Sequence, residues 1–141
     1  MQDLAERLQC GPDPLPEDQL PAVVMFDING KDVERTRTFY SNVFGWTIST
    51  PGDAPVRLAT VEAGTGGIDG VIGQAPSLSD PDASERHTGL TVYVKVHDVA
   101  ASLASAIENG ATGIWGPTEV APGFWLAQFE DPDGVRIGLS T

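Results

Sequence analysis

Two polar residues, Asp27 and Tyr93, stand in segments that are otherwise rich in β-branched and aromatic residues, 66 positions apart. A carboxyl group and a phenol can exchange a proton or share a hydrogen bond, as general acid–base catalysis and polar ligand recognition require. If the two segments meet across a pseudo-two-fold axis, Asp27 and Tyr93 form an acid–base or hydrogen-bonding pair. Alternatively, Asp27 forms a salt bridge with Lys95 or Arg136 and takes no part in chemistry.

The elements around these residues repeat with the same spacing. Asp32 and Asp98 are also 66 residues apart, and each precedes a helical pattern that it is suited to cap. The predicted helices cover 33 to about 44 and 99–109. One strand precedes each helix and three follow it. The predicted strands cover 22–28, 46–49, 56–62, 68–74, 90–96, 112–115, 123–130 and 134–139.

Alternation along the strands divides their side chains between two faces. Phe26, Ile28, Val92, Val94 and Val96 are expected to lie under the helices. A shift by one residue would bury charged side chains there without partners, at a large cost in free energy. The opposite face then carries Met25, Asp27, Thr91, Tyr93 and Lys95, with Arg136, Gly138 and Ser140 from the last strand. In the seventh strand, either Phe124, Leu126 and Gln128 or Trp125, Ala127 and Phe129 join this polar face.

Length and composition limit the classes of function. The chain has 141 residues, a formal net charge of −12 and one cysteine, Cys10. One domain is expected from the length. The negative charge argues against binding to nucleic acid or to anionic membranes. The N-terminal residues lack the pattern of a secretory signal, so we expect a cytoplasmic protein.

The domain organisation follows from the repeat and from the proline-rich stretches. Residues 1–20 are expected to form an acidic N-terminal arm, either mobile or laid on the surface. Residues 21–141 are expected to form the duplicated domain, with module one at 21–75, a linker at 76–88 and module two at 89–141.

The repeat, together with three segments, resembles the vicinal oxygen chelate superfamily, which contains glyoxalases, bleomycin-resistance proteins and extradiol dioxygenases. The segments are 39–46 (FYSNVFGW), 108–111 (ENGA) and 129–137 (FEDPDGVRI). The resemblance implies an α+β fold of two tandem β-α-β-β-β modules. They form a cup-shaped, mainly antiparallel eight-stranded sheet with the helices outside. It also implies a small-molecule ligand, often held over a divalent metal, and a homodimer.

The sequence departs from this family at the positions that hold its metal. The resemblance assigns ligands to the positions of Met25, Thr91 and Gly138. A thioether, a neutral hydroxyl and a hydrogen atom are poor ligands for a hard divalent cation. Asp69 and Gln74 are candidates for one remaining ligand. We therefore predict no metal at the family's site and no cofactor.

These observations leave three functional hypotheses, and they do not decide whether the protein is an enzyme. The first is a protein that binds a small organic molecule in a metal-free cup. Asp27 and Tyr93 are its central polar pair, and further ligand contacts are predicted for Met25, Thr91, Lys95, Gln128, Arg136 and Gly138. The second is a metal-independent isomerase, lyase or hydrolase that uses Asp27 and Tyr93. The third is a metal-dependent glyoxalase-like lyase or dioxygenase with displaced ligands.

Overall fold

A computed structural model describes residues 15–16, 18–50, 58–74 and 89–141. The predicted linker, Cys10 and most of the predicted N-terminal arm lie outside these residues. The described ranges contain two α-helices and eight β-strands: β1 (Ala22–Gly30), α1 (Val33–Phe44), β2 (Thr47–Ile48), β3 (Leu58–Glu62), β4 (Gly70–Gln74), β5 (Gly89–Lys95), α2 (Val99–Glu108), β6 (Thr112–Ala121), β7 (Phe124–Glu130) and β8 (Arg136–Ser140). The strand directions are mixed, and the predicted α+β class with two β-α-β-β-β repeats is confirmed.

The chain divides into two compact units. One comprises Met25–Thr91, and Val92–Thr141 belong to the other. We call β1, α1 and β2–β4 the first module, and β5, α2 and β6–β8 the second module.

In the first module the strands follow the order β2-β3-β4-β1. Strand β1 runs parallel to β4, and β3 is antiparallel to both β2 and β4. The core lies between these strands and α1 and consists of Phe26, Val33, Ala59, Val61 and Ile72. Apolar side chains from four elements are thus removed from water, at about 1.5–3 kcal/mol for each large one.

Helix α1 has the boundaries that its sequence predicts. The Asp32 side chain accepts hydrogen bonds from the amides of Glu34 (3.0 Å) and Arg35 (3.2 Å) and so caps the N-terminus. Gly45 ends the helix with φ of 69°, a left-handed conformation that glycine adopts at low cost. At this end of the helix the Phe44 side chain is 58% exposed.

The second module repeats this order, as β5-β8-β7-β6. Strand β5 runs parallel to β8, and β7 is antiparallel to β8 and β6. The core beneath α2 consists of Val96, Val99, Leu103, Ala127 and Leu139, with Val94 and Phe129 packed against it. Asp98 caps α2 by accepting from the Ala101 amide at 3.0 Å.

Strand β6 is longer than predicted and ends at Ala121 instead of Trp115. Gly116 and Pro117 suggested the end of a strand, but β6 lies at the outer position of its module's strand order. There, a residue without an amide hydrogen removes no essential bond of the ladder. The register with β7 shifts at three places along the strand, which accommodates these residues.

The described part of the N-terminal segment contacts the second module. The Leu15 side chain is only 6% exposed, and the Leu15 carbonyl oxygen accepts a hydrogen bond from Nδ1 of His97 at 2.8 Å. In the described ranges the longer helix has 12 residues, and neither helix has the length and apolar character needed to cross a bilayer.

Candidate functional site

The polar face of the first module is centred on β1. Phe26 and Ile28 pack into the core under α1, so Met25, Asp27 and Asn29 project to the opposite face. All three of these residues are buried, with at most 4% of their surface exposed. Asn29 was not among the predicted site residues because the predicted strand ended at Ile28. Continuing the alternation by one more pair would have included it.

Asp27 is an unusual group to find buried. It is 1% exposed, and neither carboxylate oxygen has a hydrogen-bond partner among the described residues. Its register partner on β4 is Val71, which is apolar. Loss of hydration disfavours the charged form, and burial therefore raises the pKa of Asp27 to about 7. At neutral pH the carboxyl group is then present in both protonation states.

The polar face of the second module is centred on a pair of buried side chains. Nε2 of Gln128 donates a hydrogen bond to the Tyr93 hydroxyl at 3.0 Å, and both residues are fully buried. Oε1 of Gln128 has no partner in the described residues. Ala127 and Phe129 pack on the core side, which resolves the two alternatives for the seventh strand. The residues that share a face with Tyr93 are Phe124, Leu126 and Gln128.

Gly138 lies directly against the ring of Tyr93. The two residues are register partners on the parallel strands β5 and β8, and a Cβ atom at position 138 would overlap the Tyr93 ring. An equivalent arrangement occurs in the first module, where Phe26 and Gly70 are register partners and a Cβ at position 70 would overlap the Phe26 ring. In both modules a glycine on the last strand makes room for an aromatic ring on the first.

The two predicted basic contacts lie on the same face of the second module. Lys95 is the register partner of Ser140. The Arg136 guanidinium lies 3.7 Å from a carboxylate oxygen of Glu130, its register partner on β7. Both basic residues are half-buried. The structure thus groups Tyr93, Gln128 and Gly138 directly and places Lys95 and Arg136 further along the same strands.

The residues at the superfamily's metal positions do not fit a divalent cation. Met25 and Thr91 are buried, with 0% and 3% exposure, and neither offers an anionic or imidazole donor. At Gly138 the Tyr93 ring occupies the space that a ligand side chain would need. Across the described part of the chain, no three His, Cys, Asp or Glu side chains lie close enough to hold a metal ion. Asp69 instead accepts a hydrogen bond from the Ala63 amide at 3.0 Å.

Two surface pockets lie away from these polar faces. One, of about 500 Å³, is in the first module between the end of α1 and the turn after β3. The other, of about 320 Å³, is in the second module and is lined by His97, Trp125 and Thr141 among others. Neither is lined by Asp27 or Tyr93. No sequence pattern predicts either pocket, because each is assembled from turns and strand ends that are distant in the sequence.

The fold and its repeated module point to one class of protein. The model of the glyoxalase/bleomycin resistance protein/dioxygenase superfamily matches residues 22–139. The chain belongs to this superfamily. It is similar to a glyoxylase-like domain-containing protein from Didymella fabae, with 26% identity over 121 residues that cover 82% of this chain and 89% of the relative.

Two solved structures share the fold at low sequence identity. The methylmalonyl-CoA epimerase from Mycobacterium tuberculosis superimposes with a TM-score of 0.61 at 14% identity, covering 89% of this chain and 91% of the epimerase. A hypothetical protein from Bacillus halodurans C-125 superimposes with a TM-score of 0.60 at 18% identity, covering 86% and 94% of the two chains.

Proposed function

We propose that this protein binds a small organic molecule through Asp27 and that it does so without a divalent metal. The observation that carries the proposal is the buried carboxyl group of Asp27, whose two oxygens have no hydrogen-bond partner in the part of the chain that the structure describes. A buried polar group without a partner destabilises a fold by about 1–3 kcal/mol. A ligand that supplies the missing hydrogen bonds recovers this free energy, so its affinity depends on Asp27.

The second module carries its own buried polar pair as a candidate ligand contact. Oε1 of Gln128 has no hydrogen-bond partner among the described residues, and the Gln128 amide donates to the Tyr93 hydroxyl. That Asp27 and Tyr93 contact one ligand stays a prediction from the sequence. Lys95 and Arg136 then provide positive charge for a ligand with an anionic group, and Met25 and Thr91 provide further contacts.

The metal-free character of the proposed site rests on its donors. A thioether, a hydroxyl and a glycine cannot replace the imidazole and carboxylate ligands that the superfamily's metal requires. Extensive dialysis against a chelator is therefore expected to leave ligand affinity unchanged. A loss of binding that returns on adding one divalent metal would contradict this part of the proposal.

A second candidate function is proton transfer by a metal-independent isomerase, lyase or hydrolase. The specific observation that favours it is the pKa of Asp27, which burial raises to about 7. A general acid or base is most effective when its pKa lies near the working pH. In this case Asp27 exchanges a proton with the bound molecule, and Tyr93 positions it by a hydrogen bond.

One screen separates these functions. The wild-type protein and Asp27→Asn are compared by thermal shift against a library of small acids, amides and thioesters. The library includes CoA thioesters because of the epimerase that shares the fold. Ligands are expected to stabilise the wild type and to bind about tenfold or more weakly to Asp27→Asn. Asp133→Asn, in an exposed turn, is the control for the change in charge.

Turnover of any ligand decides between binding and catalysis. Wild-type protein that changes a bound compound, with the change abolished in Asp27→Asn, establishes the second function. Binding without chemical change supports the first. Ligands that bind Asp27→Asn as tightly as the wild type would refute both. A double-mutant cycle with Tyr93→Phe tests the shared ligand, because residues that contact one molecule give non-additive losses.

The proposal includes a homodimer, as the resemblance implies. Several large apolar side chains are exposed in a single chain, among them Leu90 at 64% and Val135 at 55%. Exposed apolar surface of this kind is typical of interfaces. Light scattering at tens of micromolar is expected to give twice the chain mass of 14.9 kDa. A monomeric mass would remove this part of the proposal.

A further inference from the structure

The pocket of about 500 Å³ in the first module has two chemically different walls. One wall is aromatic and consists of Phe44 and Trp46, whose ring centroids are 4.9 Å apart. The other wall carries the carboxylates of Glu62, at the end of β3, and Asp69, just before β4. Gly64 and Thr65 form the turn that closes the pocket.

The aromatic wall packs against neighbouring rings and is partly open to water. Trp46 stacks on Tyr40 with the ring planes inclined by only 13°, and it also contacts Phe26 in the core at 5.8 Å. Phe44 nevertheless leaves 58% of its surface exposed. A large aromatic side chain left open beside a pocket is characteristic of a surface that binds something.

One residue of the acidic wall is held in place. Oδ1 of Asp69 accepts a hydrogen bond from the Ala63 amide at 3.0 Å, which fixes the carboxylate relative to the turn. Glu62 is exposed at the end of β3, where it is the register partner of Thr47. Among the described residues that line the pocket there is no lysine or arginine. The pocket lining therefore combines two acidic residues with two aromatic residues.

We propose that this pocket binds a small organic cation of the alkylammonium or quaternary ammonium class. The face of an aromatic ring carries negative electrostatic potential and attracts a cation, and the apolar substituents of an organic cation pack on the same ring. The two carboxylates provide the balancing charge. The site is separate from the Asp27 face, and it does not depend on the function proposed above.

The test uses tetramethylammonium chloride as the probe and tert-butanol as its neutral counterpart of similar shape. The backbone amide signals of Gly45, Gly64 and Thr65 in a ¹⁵N-labelled sample report on the pocket. Tetramethylammonium is expected to shift these signals to saturation in the millimolar range, with ionic strength held constant by sodium chloride. Equal shifts from tert-butanol, or shifts that never saturate, would overturn the proposal.

Two pairs of variants assign the binding to the two walls. Phe44→Leu removes an aromatic face from the pocket. Phe39→Leu is its control, because Phe39 is also on α1, is 57% exposed and contacts Tyr40, but does not line the pocket. Phe44→Leu is expected to weaken tetramethylammonium binding by about two- to fivefold and Phe39→Leu to leave it unchanged. Equal effects of the two variants would overturn the aromatic part of the site.

The acidic wall is tested in the same way. Glu62→Gln keeps the size of the side chain and removes its charge, and Glu108→Gln removes the same charge at the end of α2. Glu62→Gln is expected to weaken tetramethylammonium binding by about two- to fivefold, with no change for Glu108→Gln. If Glu108→Gln has the same effect, the cation senses only the net charge of the protein and the site is refuted. None of these measurements involves the Asp27 ligand, so the two proposals can fail independently.

Discussion

The two modules share one construction and use it on opposite faces. Each has a parallel pair of strands in which an aromatic ring on the first strand lies over a glycine on the last. In the first module the ring is Phe26 and belongs to the core under α1. In the second module the ring is Tyr93 and belongs to the polar face, where it bonds to Gln128. Within the 66-residue repeat, the aromatic residue of the second module lies one position later than that of the first. The glycine therefore makes room for a ring on the polar face in the second module and on the core face in the first.

This difference divides the polar chemistry unequally between the modules. In the first module the buried carboxyl of Asp27 has no hydrogen bond to any residue that the structure describes. At the matching position the second module has Tyr93, whose hydroxyl accepts a bond within its own sheet. We therefore expect the first module to respond to pH and the second to respond to the loss of specific contacts.

The largest effect is expected for the ionisation of Asp27. Its pKa is raised from 3.8 to about 7 in the folded state, so between these pH values the folded protein holds a proton that the unfolded chain has lost. The free energy of unfolding should therefore fall as the pH rises from about 4 to about 7, by an amount on the order of 4 kcal/mol. Urea unfolding at several pH values measures this fall.

Two variants locate the effect. Asp27→Asn should not show this fall in the free energy of unfolding with pH. The difference between the pH dependences of the wild type and the variant therefore measures the contribution of Asp27. Tyr93→Phe should keep it, because Asp27 is unchanged. A wild-type curve parallel to that of Asp27→Asn would show that Asp27 titrates normally.

The next largest effect is expected at the two glycines under the rings. Gly70→Ala and Gly138→Ala should each lower the free energy of unfolding by about 1–3 kcal/mol, because the added methyl group overlaps the Phe26 or Tyr93 ring. Gly67→Ala is the control, since the nearest atom to its Cβ lies 3.7 Å away. If ring overlap is the cause, Gly138→Ala costs less when Tyr93 is already alanine. Additive losses would contradict this explanation.

A smaller effect is expected for the Tyr93 hydroxyl. Tyr93→Phe leaves the buried Gln128 amide without this acceptor and should lower the free energy of unfolding by about 1–2 kcal/mol. Tyr40→Phe in the first module is the matched control, because Tyr40 is half-buried and contributes ring contacts. Equal losses in thermal or urea unfolding would show that the Tyr93–Gln128 bond contributes nothing specific.

The smallest effect on the free energy of unfolding is expected at the two helix caps. Asp32 accepts from two backbone amides, and Asp98 accepts from one. Asp32→Ala should therefore cost about 1 kcal/mol of unfolding free energy, and Asp98→Ala about half as much. Urea unfolding of the two variants measures the difference. A larger loss for Asp98→Ala would reverse this part of the comparison.

The parts of this fold that could be predicted are those determined by neighbours in the sequence. Asp32, the apolar positions that follow it and Gly45 define α1, and the structure has the predicted boundaries. The extension of β6 to Ala121 could not be predicted, because the tolerance for Pro117 depends on its place in the strand order. For the same reason the exposure of Phe44 could not be predicted, since a periodic pattern does not tell how far the opposing surface extends.

The candidate site shows the same limit. Strand alternation placed Asp27 opposite Phe26, and the sequence suffices for that. The absence of a partner for Asp27 among the described residues and the bond between Gln128 and Tyr93 depend on pairings between distant strands. Gly138 was interpreted only as a missing metal ligand. Its contact with Tyr93 requires the register of β5 with β8, which no local pattern contains.

The ring of Tyr93 over Gly138 also limits the order in which this protein could change by mutation. A glutamate at position 138 would bring in the carboxylate that the superfamily's metal site uses, but the ring occupies that space. Tyr93 would have to become smaller first, and that change would remove the partner of the Gln128 amide. The identities of residues 93 and 138 are therefore coupled: a side chain at position 138 requires a smaller residue at position 93.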